Sequence, residues 1–153
     1  LPKGPLDALP LCVDSFVAVL QAGAPLAERR RPVTCDDLGR LPLVAHAPTR
    51  EHVEEQLRVH GIEPRFVLEA ATGAAVQGLV AAGLGAAVLP RLAVDERRLE
   101  TAVLDLAPGV VANRTVAVVW SRMQPPRADA SAFVESARSA CAGEGLREPL
   151  LAG

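Results

Sequence analysis

In the middle of the chain, short apolar runs alternate with longer segments in which apolar residues recur at helical spacing. The apolar runs Pro42 to His46, Arg65 to Glu69 and Gly85 to Leu89 are short, which is typical of buried strands. Between these runs, residues 48–60 and 73–83 repeat apolar side chains at helical spacing. The middle of the chain therefore predicts a β-α-β-α-β unit.

The first of these helices, over residues 48–60, has a clear apolar face and a clear signal for its C-terminal end. Val53 and Leu57 lie four residues apart on one side, while Glu51 and Glu54 lie on the other. Gly61 follows at the position of a C-terminal cap. The helix is predicted to lay an apolar stripe on the sheet.

Weaker patterns predict the flanking elements. Thr34 is expected to cap a short helix, because Asp37 follows three residues later and its carboxylate can reach back. The final helix is expected to place Phe133, Val134 and Ala137 on its inner face. Residues from 143 onward are expected to form a mobile tail. The flanking strands and the final helix are predicted at Ser15 to Leu20, Thr101 to Leu106, Thr115 to Trp120 and Ala128 to Ala142.

Chain order alone predicts a binding edge. Strands joined by single helices imply a parallel sheet with right-handed crossovers, so the turns at 46–49 and 70–73 share one rim. Each turn precedes a helix, whose first N–H groups favour an anion such as a carboxylate. Thr72 can cap its helix or donate to a ligand, and both interpretations stay open. His46 is the titratable side chain on the facing turn.

Composition narrows the class of protein. The 153 residues suffice for one domain with its own core, and only 3% of them are aromatic, so Leu, Val and Ala must build it. The formal net charge of −2 argues against a nucleic-acid surface in this segment, since such domains carry a basic excess.

Several sequence features indicate the cellular compartment in which the chain is expected. Between Glu69 and Arg91 lie 21 uncharged residues, but Gly83 and Gly85 interrupt them, so a buried helix and strand fit better than a membrane span. The first fifteen residues include charged side chains and no long apolar run, which argues against a signal peptide. Three widely spaced cysteines favour neither a disulfide framework nor a zinc site. A reduced, cytoplasmic chain is the expected setting.

The sequence gives little support for metal binding, redox sensing or catalysis. His46, His52 and His60 lack the spacing of a zinc motif, so no metal site and no cofactor are expected. Cys35 near a helix start is a redox-sensor candidate, but a structural role is favoured because no resolving partner is evident. The sequence contains no nucleophile elbow or P-loop. A binding module is expected rather than an enzyme.

Six short segments of the chain together match the sequence pattern of one protein family. Residues 78–90 (GLVAAGLGAAVLP) are similar to the family's LVAAGLGxAxLP signature. Residues 24–29 (APLAER) are similar to its HPLAxR element, with Ala24 where the family has His. Residues 33–38, 41–44, 118–120 and 132–134 match the remaining pattern, and the order and spacing agree over roughly residues 14–140. Taken together, these segments resemble LysR-type transcriptional regulators.

The resemblance implies an α/β fold of the periplasmic-binding-protein-like (type 2) kind. One lobe has a parallel-rich sheet flanked by helices, part of a second lobe accompanies it, and the effector lies in the cleft between lobes. Residues 1–20 would end the first lobe, 21–114 would form the second, and 115–153 would return to the first. Combined with the predicted rim, this gives the candidate ligand-binding residues Ala45, His46, Ala47, Thr49, Ala71, Thr72 and Gly73.

The implied partners are a small, anionic metabolite and further copies of the chain, as a homodimer or tetramer. DNA would be contacted only through an N-terminal domain outside these residues, and no membrane is involved. The incomplete first lobe should expose apolar surface and promote association. The alternative is a stand-alone solute-binding protein or an enzyme on the same architecture.

Overall fold

The computed structural model describes residues 5–122 and 128–143. The chain divides into two compact units, one formed by Leu1–Asp14 with Asn113–Gly153 and the other by Ser15–Ala112. In chain order the strands and α-helices are β1 (Leu6–Asp14), β2 (Phe16–Gln21), α1 (Pro25–Glu28), α2 (Cys35–Gly39), β3 (Pro42–His46), α3 (Arg50–Val59), β4 (Arg65–Ala70), α4 (Gly73–Ala81), β5 (Ala87–Pro90), β6 (Thr101–Asp105), β7 (Arg114–Ser121) and α5 (Ala128–Gly143).

The sheet of the Ser15–Ala112 unit is mixed. β3 pairs with β4 in parallel, and a parallel bridge between Leu43 and Ala86 joins β3 to the start of the next strand. β2 then pairs antiparallel with β5 on one side and β6 on the other. The predicted parallel arrangement of the three middle strands is confirmed, and two antiparallel pairings extend the sheet beyond it.

The third predicted strand starts later than expected because of Gly85. This residue has φ +156°, and a Cβ there would lie 2.6 Å from the carbonyl oxygen of Pro42. Only glycine allows the two backbones to approach so closely. Regular pairing therefore begins at Ala87 instead of Gly85.

Both faces of β2 are buried. Phe16, Ala18 and Leu20 join one apolar cluster, which includes Val53 and Leu57 of α3. The intervening Val17 and Val19 join a second cluster, which includes Val76 and Val80 of α4. Alternate side chains of a strand point to opposite faces, so β2 is the centre of a three-layer α/β/α unit.

The helices begin and end close to the predicted positions. Thr34 caps α2 with Asp37 in a reciprocal capping box, as predicted. α4 ends at Ala81, two residues before Gly83 at φ +78°. The helix predicted over 48–60 is shorter, because residues 47–49 form a 3-10 turn that contains Pro48 and α3 starts after it.

The other unit pairs β1 with β7 in an antiparallel ribbon, and α5 packs against β1. Val134 and Ala137 of α5 are half-buried, as predicted, but Phe133 is 64% exposed, so its placement on the inner face is wrong. Positions 134, 137 and 141 share a helical stripe, and position 133 lies about 100° away from 134. The mobile tail was predicted from residue 143, but Gly143 is the last residue of α5, and residues 144–153 lie outside the described residues.

Among the described residues, no helix has the length and apolar character needed to cross a bilayer. The uncharged stretch before Arg91 consists instead of α4 and β5, as the sequence predicts.

Candidate functional site

The carboxyl ends of β3 and β4 lie side by side. His46, the last residue of β3, is the register partner of Ala70, the last residue of β4. The turns that follow the two strands are therefore neighbours on one edge of the sheet, as chain order predicts. The seven candidate residues all belong to these two strand ends and turns.

Thr72 occupies the N-cap of α4. Its hydroxyl oxygen accepts a hydrogen bond from the N–H of Ala75 at 3.3 Å, and its side chain is exposed. The N–H groups of Gly73 and Ala74 lack intrahelical acceptors because they open the helix. Since the hydroxyl acts as an acceptor in the cap, its own proton remains available to a further acceptor.

Gly73 fixes where this helix begins. A Cβ at Gly73 would lie 2.0 Å from the carbonyl oxygen of Ala93, in the 3-10 turn Arg91–Ala93. The contact holds the first turn of α4 directly against another backbone segment. The role of Gly73 as a close-packing position was missed from the sequence, where a glycine after a threonine cap was the only signal.

His46 and Thr49 form a buried pair within the first turn. The side chains are 9% and 8% exposed, and Nδ1 of His46 lies 3.0 Å from Oγ1 of Thr49. Thr49 makes no side-chain cap at the start of α3. The geometry gives these two residues a role in fixing the turn.

The candidate residues thus fall into two groups. Ala47, Ala71 and Thr72 are exposed at the rim. The other four lie buried beneath the exposed rim: Ala45, His46, Thr49 and Gly73. Ala47, Pro48 and Ala71 are thus the exposed apolar side chains of the two turns, and Thr72 supplies the exposed hydroxyl.

An ion pair beside the first turn was missed from the sequence. Arg50, which opens α3, donates to a carboxylate oxygen of Glu69 at 2.7 Å, and its guanidinium also lies 5.2 Å from the ring centre of Phe66. Hydrogen bonding to Glu69 raises the pKa of Arg50. The two residues are nineteen positions apart, and only the alignment of β3 with β4 brings them together.

A shallow depression of about 440 Å³ lies next to this ion pair. Its lining includes the carboxylates of Glu51, Glu54 and Glu69 and the single guanidinium of Arg50. An excess of carboxylates repels an anion. The depression is therefore a poorer anion site than the N-terminus of α4.

The two histidines of α3 hold a loop. Nε2 of His52 donates to the carbonyl of Ala112 at 3.0 Å, and Nε2 of His60 donates to that of Gly109 at 2.8 Å. Between them, Gln56 accepts from the N–H of Ala112 at 3.1 Å. Within the described residues, no cluster of three or more potential ligands could bind a metal ion.

Cys35 has the surroundings of a structural cysteine. Burial and the neighbouring carboxylate of Asp36 raise the pKa of its thiol. A thiol that keeps its proton is a poor nucleophile, which favours the structural interpretation over the redox-sensor one.

Comparison with known proteins identifies the family. The family model described as LysR substrate binding domain matches residues 2–142. The HTH-type transcriptional regulator CysB of Burkholderia cenocepacia is 32% identical over 96 residues, which are 61% of this chain and 30% of that regulator. The chain thus spans less than a third of that curated relative.

Solved structures agree on the fold. The C-terminal domain of a probable LysR family transcriptional regulator from Rhodococcus sp. RHA1 has a TM-score of 0.74 and 28% identity, covering 88% of this chain and 68% of that one. The BenM effector binding domain, solved with its effector benzoate, has a TM-score of 0.76 and 21% identity, covering 98% and 69%. The periplasmic-binding-protein-like α/β fold predicted from the resemblance is confirmed.

The matched model is that of a binding domain found in transcriptional regulators, not of an enzyme, so the enzyme alternative is set aside. With a family model that covers nearly its whole length, and with the signature at residues 78–90 forming the end of α4 and all of β5, this chain belongs to the LysR substrate-binding domain family.

Proposed function

We propose that this chain is the effector-sensing domain of a bacterial, cytoplasmic transcriptional regulator. It binds a small carboxylate-bearing metabolite at the turns Ala45–Thr49 and Ala71–Gly73. The observation that carries the proposal is the exposed N-terminus of α4, capped by Thr72 and placed beside the end of β3. Its cytoplasmic location is the expectation for a domain that acts on transcription.

The electrostatics of the rim favour a carboxylate over a neutral ligand. The N-terminus of α4 carries the positive end of the helix dipole, and its first turn contains no acidic residue that would already neutralise it. Each interaction of this kind contributes about 0.3–1 kcal/mol, so several donors must act together on one ligand. The Thr72 hydroxyl supplies one more hydrogen bond to the same anion.

The benzoate that accompanies the BenM domain is itself a carboxylate, which supports the same ligand class for this domain. Ala47 and Ala71 are small and exposed, so they leave room for the body of the ligand above the backbone donors.

Two further parts of the proposal concern partners. DNA contact in the whole regulator is assigned to an N-terminal domain outside these 153 residues, because the chain carries a net charge of −2.

Self-association, as a homodimer or tetramer, is supported by large apolar side chains that are exposed in the β1–β7–α5 unit, namely Leu6, Val119 and Phe133. Sedimentation velocity tests it: a dominant monomer at all concentrations contradicts self-association.

The ligand site is tested by NMR titration of the isotopically labelled chain with benzoate as the carboxylate probe and benzamide as its neutral counterpart. We expect benzoate, and not benzamide, to shift the amide signals of residues 46–50 and 71–75. Shifts confined to other parts of the chain would contradict the site.

Thr72→Val keeps the shape of the side chain and removes the hydroxyl. Loss of a hydrogen bond to a charged group costs about 1.5–3 kcal/mol, so affinity for the carboxylate should fall about ten- to a hundredfold. Ser139→Val, on the exposed face of α5, is the control and should leave affinity unchanged. A Thr72→Val variant that folds normally and binds as tightly as the wild type would reduce Thr72 to a helix cap.

A further inference from the structure

A third turn lies on the same edge of the sheet as the two candidate turns. A parallel bridge joins Leu43 of β3 to Ala86, directly before β5. Two backbone hydrogen bonds support it, from the Val44 N–H to the Ala86 carbonyl at 2.7 Å and from the Ala86 N–H to the Pro42 carbonyl at 2.9 Å. Since β3 is also parallel to β4, the carboxyl ends of all three strands meet at one edge. The 3-10 turn Arg91–Ala93 follows β5 there and is called the β5 turn below.

The β5 turn is in contact with the first residue of α4. A Cβ built at Gly73 would lie 2.0 Å from the carbonyl oxygen of Ala93 and 3.1 Å from its Cβ. Gly73 directly follows Thr72, the N-cap of that helix. The β5 turn therefore borders the helix N-terminus to which the carboxylate of the effector is assigned.

The segment that carries the β5 turn is held at both ends. At its start, the N–H of Arg91 donates to the carbonyl of Ser15 at 2.8 Å. Beyond its end, the buried side chain of Gln77 in α4 binds the backbone of Asp95 twice. Its Nε2 donates to the Asp95 carbonyl at 3.1 Å, and its Oε1 accepts from the Asp95 N–H at 2.9 Å. The backbone of the β5 turn is thus positioned against α4 by contacts on either side.

The middle residue of the β5 turn is a large apolar one. The side chain of Leu92 is 48% exposed, next to the Ala93 that contacts Gly73. The exposed apolar residues of the other two turns are smaller, namely Ala47, Pro48 and Ala71. Covering an exposed leucine with an apolar group is favourable, because it removes apolar surface from water.

We propose that Leu92 is a specificity-determining residue, which contacts the apolar body of the effector while the N-terminus of α4 binds the carboxylate. The site then selects carboxylates with an aromatic or branched aliphatic body over short ones. This inference rests on the proposed function, since it concerns the ligand bound at the same edge of the sheet.

The test is NMR titration of the isotopically labelled chain with benzoate and with acetate, which share a carboxylate and differ in the apolar body. Both are expected to shift the amide signals of residues 71–75, and benzoate alone should also shift the methyl signals of Leu92. Leu92→Ala should lower the affinity for benzoate about three- to tenfold and leave that for acetate unchanged.

Leu84→Ala is the matched control. Leu84 is 45% exposed and precedes β5, whereas Leu92 follows it, so the two leucines belong to opposite ends of one strand. The control should bind benzoate as tightly as the wild type.

The outcomes separate this inference from the function on which it rests. If neither carboxylate shifts residues 71–75, the proposed function fails and Leu92 loses its role with it. If both shift those residues but Leu92→Ala retains full affinity for benzoate, or loses affinity for acetate by the same factor, only the role of Leu92 is overturned. Where the variant does not fold, the wild-type methyl signals decide: benzoate shifts at Leu92 and not at Leu84 support the inference, and unshifted Leu92 methyls overturn it.

Discussion

The carboxylate of Asp14 is completely buried, and Arg114 holds it through two donors at 2.7 and 2.8 Å. The two residues are register partners at the end of β1 and the start of β7. Arg114 itself is 42% exposed, so one charge of the pair lies in the interior of the unit and the other reaches water. Such a pair is asymmetric, because losing the arginine removes two donors from a buried charge, whereas the arginine itself can be solvated.

We therefore expect Arg114→Met to lower the free energy of unfolding by about 1–3 kcal/mol, because it retains the apolar stem and removes only the guanidinium. Urea denaturation measures the change. Arg122→Met is the matched control, since Arg122 pairs with Asp7 at the other end of the same ribbon and both side chains are exposed. An exposed pair contributes about 0–1 kcal/mol. Equal losses in the two variants would contradict the asymmetry.

Gly73→Ala should destabilise the protein by about 1–3 kcal/mol, because the added methyl group would overlap the carbonyl of Ala93 and displace the start of α4. Gly78 lies in the same helix, and a Cβ added there would have no atom within 4 Å, so Gly78→Ala should stabilise the protein by about 0.5–1 kcal/mol through helix propensity alone. Thermal denaturation of both variants checks the opposite signs. If Gly73→Ala stabilised the protein, the prediction would be contradicted, because the Ala93 carbonyl would then move away from the added methyl group at little cost.

Asp37 gives the protein a stability that depends on pH. Its bidentate pairing with Arg31, and its bonds to the backbone and hydroxyl of Thr34, hold the pKa of the carboxyl well below its usual range. The unfolded chain has a carboxyl pKa of about 3.9, so it takes up this proton first as pH falls. The contribution of Asp37 is thus complete above that value and is lost as pH falls through the folded pKa.

Asp37→Asn should accordingly cost about 1–2 kcal/mol at pH 7, and the difference from wild type should shrink steadily below about pH 4. Urea denaturation across that range measures it. Asp36→Asn is the control, since Asp36 is exposed in the same helical turn and should change stability little at any pH. A cost for Asp37→Asn that persists undiminished at pH 2 would contradict the linkage.

Gln56→Leu should loosen the loop that α3 holds. The variant removes the acceptor of the Ala112 N–H, and a hydrogen bond of about 1 kcal/mol corresponds to roughly fivefold faster amide exchange. Hydrogen exchange read at Ala112 measures the effect. Glu55→Leu, an exposed neighbour on the same helix, should leave that amide unchanged. Unaltered exchange in Gln56→Leu would assign the holding of the loop to His52 and His60.

The sequence was sufficient for the middle of the fold because each element there carries a local signal. The apolar runs, the Thr34–Asp37 capping box and the glycines at 61 and 83 all report on their own neighbourhood. The antiparallel pairing of β2 with β5 and β6 could not be predicted in this way. A strand that is apolar on both faces fits either direction of pairing, and its partners are distant in the chain.

Only part of the candidate site could likewise be predicted from the sequence. Chain order was enough to bring the two turns together and to place Thr72 at a helix cap. Burial of His46 and Thr49, the contact of Gly73 with Ala93, and the pairing of Arg50 with Glu69 depend on segments that meet only in the folded sheet. The resemblance named the family and the cleft, while the ligand-binding residues within it remain a prediction.

The two-sided burial of β2 constrains the order in which the protein can fold during synthesis. Residues 16–20 emerge before their pairing partners, as five consecutive apolar side chains with both strand edges open. Their partners begin at Ala87 and Thr101, so neither edge can be covered until most of the Ser15–Ala112 unit has left the ribosome. An open apolar edge is prone to pair with other chains. The nascent chain is thus most exposed to aggregation between the synthesis of β2 and that of β6, the interval in which a chaperone would have the greatest effect on its yield.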